Sequence, residues 1–198
     1  MKNVVKDTEL AYTFERFRNH CIQLQICYNM YYHIFEAGEE VSDILRRTAV
    51  LFFHDLNGIL IEQIYLHIGR ITDPAKNGKH ENLSVENLNK MLRVAGLMTV
   101  EIDRLSKQLM HYRSLINEAR NKVIAHLDKE TVVNDVQLGG HAPEEVTAFF
   151  ENLQNYCDEV GWVTGKGPCD FRTVAGAGDV LDLIEALRRS LKKPASLS

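Results

Sequence analysis

Apolar residues that step alternately by four and three through most of this chain leave a helical fold as the one they can build. Leu10, Phe14, Phe17, Cys21, Leu24, Tyr28, Tyr31 and Phe35 keep that rhythm without a break, which lines them along one face of an α-helix. Gly38 follows and tolerates the left-handed backbone of a helix C-cap. The stripe is rich in aromatic rings. It suits packing in a core or across a dimer, with a platform for stacked bases as the alternative.

A second helix is expected from about Glu40 to Ile71. Its middle, Ala49 to Phe53 and Gly58 to Ile68, is apolar on nearly every face, so it should be the most buried element. Asp55 and Glu62 interrupt it on one side. Buried carboxylates need partners, either a basic residue of another helix or a place in an active-site wall. Asp73-Pro74 stops the helix, because proline pushes its predecessor to extended geometry.

Ala75 to Asn82 reads as a polar loop whose Lys76, Lys79 and His80 make it either a mobile basic element near the site or a plain solvated loop. Ser84 caps a short helix to about Val94. Gly96 closes it, and Thr99 with Glu101 and Asp103 opens the next. Ile102, Leu105, Leu109, Tyr112, Ile116, Ala119 and Val123 give that helix a long apolar seam. Pro143-Glu144-Glu145 starts another helix, running to about Val160. A Gly-rich loop and a last helix, Asp179 to Lys192, follow. No strand pattern or internal repeat is visible. The expected fold class is all-α, one domain over residues 1–198, built as a bundle of long antiparallel helices with shorter C-terminal helices.

Composition narrows the chemistry. The four cysteines form no C-x-x-C pair and have no His at ligand spacing, which argues against structural zinc and for reduced thiols. His54 and His67 lack a ligand partner three or four residues away, so no metal site is expected. Acidic residues stand where a signal peptide would be apolar. No uncharged apolar run approaches the roughly 20 residues of a membrane span, so a cytoplasmic protein without membrane contact is expected. A net charge of −4 argues against a general nucleic-acid coat protein; an RNA contact would need a local basic patch.

The end of the seam carries the chemistry-bearing residues. At roughly 100° per residue, Arg120 and His126 fall about 60° to either side of Val123. A fixed cation and a group that titrates near neutral pH would then share one groove wall, a pairing suited to a phosphodiester. The spacing alone is common. Arg47 with His54 and Arg104 with His111 also fit an Arg followed by four to six residues and a His within the same chain. The helical context distinguishes the third pair.

Ile68-Gly69-Arg70-Ile71-Thr72-Asp73-Pro74, Glu81-Asn82-Leu83-Ser84 and Arg120-Asn121-Lys122-Val123-Ile124-Ala125-His126-Leu127-Asp128 resemble the HEPN superfamily, in its AbiU-like abortive-infection branch. The likeness covers about residues 10–160 and leaves the loop and helix of 161–198 outside. It implies a metal-independent endoribonuclease with no cofactor, built as a homodimer whose two motifs face one cleft. By position Arg120 would stabilise charge on the scissile phosphate, and His126 would move a proton at the ribose 2′-OH or the leaving 5′-oxygen. Asn121, Asp128 and Asp73 would support them, with Lys76, Lys79 and Lys122 as RNA contacts. The implied setting is a toxin or phage-defence effector, with a protein or nucleotidyltransferase antitoxin as partner. A catalytically inactive helical module that binds RNA or protein is the competing expectation, with Arg120 and His126 merely capping a helix end.

Overall fold

The computed structural model describes residues 8–119, 143–172 and 176–192. Six helices make up nearly all of it: α1 (Thr8–Tyr31), α2 (Glu39–Thr72), α3 (Val85–Val94), α4 (Val100–Ala119), α5 (Pro143–Thr164) and α6 (Val180–Lys192). The all-α class follows from the periodicity, and the caps read from the sequence are in place. Ser84 Oγ accepts from the Asn87 backbone N–H at 3.4 Å, and Thr99 Oγ1 from that of Ile102 at 3.1 Å. These bonds satisfy helix-start donors that have no partner within the helix.

One core unites five helices. Leu10, Phe14, Phe17, Cys21 and Leu24 of α1 meet Leu60, Ile64, Ile68 and Ile71 of α2. Leu88 and Leu92 of α3, the α4 seam from Ile102 to Ile116, and Phe149, Leu153, Tyr156 and Val160 of α5 close around them. Helix α5 lies along α4 and also packs on α1. A smaller cluster of Ile34, Val41, Leu45, Phe53 and Ile184 seats α6 against the first half of α2. Leu183 of α6 is exposed.

Three expectations are corrected. Helix α2 is not the most buried element: Val50, Leu51, Phe52 and Ile59 are 55%, 75%, 61% and 61% exposed. Asp55 and Glu62 lie on the same open side, so they are solvated carboxylates rather than buried ones. Helix α2 also bends at Ala49, whose φ of −158° and ψ of 71° leave the helical region. Second, α1 continues past Tyr31 as a π-helical turn, Tyr32–Glu36. Third, the polar loop contains a two-stranded antiparallel hairpin, β1 (Lys76–Asn77) with β2 (His80–Glu81), turning at Gly78 with φ 59°. The two loop residues are Gly78 and Lys79, and glycine at the first loop position suits a two-residue hairpin.

The C-terminal end of α5 folds back on itself. The N–H groups of Lys166 and Gly167 donate to the Gly161 carbonyl at 2.9 and 3.0 Å, with Gly165 and Gly167 in the left-handed region. Arg18 of α1 donates to the Gly167 carbonyl at 3.1 Å, and Lys166 pairs with Glu15 at 3.0 Å. The Gly165-Lys166-Gly167 sequence is thus a helix terminator docked on α1.

Candidate functional site

Arg120, Asn121, Lys122, His126 and Asp128 lie outside the described residues. What the structure shows is the mount on which that stretch is carried. Helix α4 is buried at Ile102, Leu105, Leu109, Tyr112 and Ile116 and runs to Ala119, the residue before Arg120. The chain resumes as α5 at Pro143, and α5 lies against α4. The stretch therefore leaves from one packed helix and returns to its neighbour.

Asp73 is held by Arg113, a residue that no motif or spacing singled out. The Arg113 guanidinium donates to the Thr72 carbonyl and pairs with the Asp73 carboxylate at 3.2 Å, both side chains about four-fifths buried. Thr72 in turn donates its hydroxyl to the Ile68 carbonyl at 2.6 Å. The last turn of α2 has carbonyls with no partner inside the helix, and Arg113 supplies one from α4. The Asp73 carboxylate is thereby engaged in joining α2 to α4.

The hairpin is tied to the same end. The Ala75 N–H donates to the Glu86 carboxylate at 3.1 Å, and the Asn82 side chain to the Pro74 carbonyl at 2.7 Å. Lys90 and this Ala75 N–H hold the Glu86 carboxyl below its ordinary range. Lys76 is 3.1 Å from Glu81 across the hairpin, so its charge is partly met within the protein. Lys79 stands exposed in the turn itself. The structure thus places Asp73, Lys76 and Lys79 on consecutive stretches beyond the C-terminal end of α2.

A second feature lies on the other flank of α4. Tyr28 and Tyr31 of α1, Tyr32 and Glu36 of the π-helical turn, Tyr65 of α2 and Tyr112 of α4 line a cleft of about 360 Å³. Tyr28 stacks on Phe150 at 4.0 Å, and Tyr112 leans on Phe149 at 4.7 Å. The Tyr31 hydroxyl donates to Glu36 at 2.9 Å. Burial, then the Glu36 carboxylate, push the Tyr31 phenol well above its usual range. Burial does the same to Tyr112. Both phenols are therefore neutral donors at physiological pH. The aromatic stripe of α1 was visible in the sequence; that its distal rings turn to a cleft while Phe14 and Phe17 fill the core was not.

Among the described residues no group of three or more His, Cys, Asp and Glu side chains could hold a metal ion. No helix among them is long and apolar enough to cross a membrane. Cys21, Cys27, Cys157 and Cys169 are free thiols. Burial, reinforced by Cys157, raises the Cys21 thiol well above its ordinary value, so it is not a poised nucleophile.

No curated protein and no solved structure matches the chain. The family model for AbiU2, of the HEPN type, matches residues 7–186. That span runs past residue 160 into α6, beyond the likeness drawn from the motifs, and α6 is packed on α2 and the π-helical turn. With the match extending over nearly the whole sequence, the chain belongs to the AbiU2 family of HEPN proteins.

Proposed function

We propose that this protein is a metal-independent endoribonuclease, acting as a homodimer in an abortive-infection or toxin role. The observation that carries the reading is the position of the Arg120–His126 pair. It follows directly on the buried seam of α4 in a chain of an HEPN family. Arg120 stabilises the charge that develops on the scissile phosphate, and His126 moves the proton at the 2′-OH or the leaving 5′-oxygen. Charge stabilisation by one donor is typically worth about 10²–10³-fold, and acid–base help about 10²–10⁴-fold. Asn121, Asp128 and Asp73 support them, and Lys79 and Lys122 steer the strand. With an acidic net charge, attraction for a polyanion has to come from such local cations rather than from the overall field. A protein or nucleotidyltransferase antitoxin is the expected restraint on this activity.

The test is cleavage of RNA by the purified protein in excess EDTA. Cleavage should persist, and products should end in 2′,3′-cyclic phosphate, because the attacking group is the substrate's own hydroxyl. DNA lacks that hydroxyl and should survive. A strict requirement for added magnesium sinks the mechanism.

The open side of α2 supports the homodimer. Leu51, Phe52 and Ile59 form an apolar strip too exposed for a surface that stays wet. Sedimentation at micromolar concentration should give about twice 22.6 kDa, and Phe52→Asp should give the monomer. A wild-type monomer at that concentration excludes the dimer. If wild type then cleaves no RNA, the inactive interaction module takes its place.

A further inference from the structure

Among the described residues, the tyrosine cleft is lined by five of the chain's seven tyrosines and one carboxylate, Glu36, with no Lys, Arg or His. Among the described residues a phosphate finds nothing there to neutralise it. What the walls offer is π faces, neutral hydroxyls and one acceptor pair. Tyr112 places this cleft on the wall of α4, eight residues before Arg120.

The carboxylate is aimed by an unusual piece of backbone. In an α-helix, residues five apart diverge by about 140° and do not meet. The π-helical turn Tyr32–Glu36 has i→i+5 spacing, and it brings Glu36 within 2.9 Å of the Tyr31 hydroxyl. Such turns are rare and concentrate at functional sites. With Tyr31 donating to one oxygen of Glu36, the second oxygen and the remaining lone pairs are left for donors from a ligand.

We propose that the cleft is a base subsite that seats one unpaired nucleobase of the RNA, guanine in preference to the other three. The substrate class rests on the ribonuclease reading above. Single-stranded bases are bound by stacking on aromatic side chains and read along their Watson–Crick edges. Stacking on tyrosine admits any base; the carboxylate selects. Guanine presents two adjacent donors, N1–H and N2–H, which match the two oxygens of a carboxylate. Adenine, cytosine and uracil each set at least one acceptor against it, so none of them can donate to both oxygens at once. A cleft of about 360 Å³ is of a size for one nucleoside.

The test is binding of free nucleosides to the full-length protein by calorimetry, with melting temperature measured in parallel. Guanosine should bind at least about tenfold more tightly than adenosine, and inosine, which lacks the N2 amine, should fall between them. Glu36→Gln should erase the preference without shifting the melting temperature. Tyr31→Phe, which keeps the ring and frees the carboxylate, should weaken it less. Equal affinity for guanosine and adenosine, or a preference that survives Glu36→Gln, overturns the assignment. Tetramethylammonium displacing guanosine at lower concentration would also overturn it, as the mark of a cation cage. The two readings fail separately. RNA cleavage without any guanosine binding removes the subsite alone, whereas guanosine binding without cleavage removes the ribonuclease alone.

Discussion

Replacing His126 with alanine should lower RNA cleavage by at least about 10²-fold while the dimer still forms. Alanine cannot take or give the proton, and nothing else in the motif titrates near neutral pH. Arg120→Lys is the sharper companion. It keeps the charge and nearly the length but loses the planar fork that holds two phosphate oxygens at once. An Arg120 that binds the scissile phosphate should fail as lysine; one that only caps a helix should tolerate the change. His111→Ala, taken from another Arg–His pair of allowed spacing, is the control and should leave cleavage near wild type. If wild type cleaves and both motif variants match it, the chemistry lies elsewhere.

Gly161→Ala should be the most damaging small substitution in the described residues, at about 2–4 kcal/mol. Gly161 sits inside α5, where alanine normally favours a helix over glycine. Here an added methyl would overlap the carbonyl of Gly167. That carbonyl belongs to backbone held by two hydrogen bonds to Gly161 itself and one from Arg18, so it has no room to retreat. The contrast is Gly176→Ala, whose methyl would meet nothing and should change stability by about 0.5 kcal/mol or less. Urea unfolding of the two variants decides it; equal midpoints would show that the terminator yields freely.

The helices were legible because burial follows a rhythm that the side chains spell out. On α4 every seam residue from Ile102 to Ile116 is buried, and Ser84 and Thr99 cap as their chemistry demands. The pattern fails on α2 for a physical reason. When nearly all residues are apolar, periodicity marks a helix but not its inward side. Asp55 and Glu62 were in fact the label of the open face. The π-helical turn and the Arg113 contact to Thr72 left no trace in the sequence, since one is a local change of backbone winding and the other joins residues 41 apart. Of the candidate site, Asp73, Lys76 and Lys79 are placed around the end of α2, while the Arg120–Asp128 stretch lies outside the described residues.

The Arg113 contact bears on control of the proposed activity. Through it, the α2 end that mounts the hairpin and the helix that leads to Arg120 are joined by one partly buried side chain. Anything that grips the hairpin therefore has a direct mechanical route to α4. Linkage sets the limit on that route: a ligand there can bias α4 only by the difference in its affinity for two arrangements of the joint. A partner that restrains this protein could thus act from the hairpin side without covering the motif at all, and Arg113→Met, which leaves the shared α2–α4 core in place, should weaken that restraint, read as a higher partner concentration needed to inhibit cleavage.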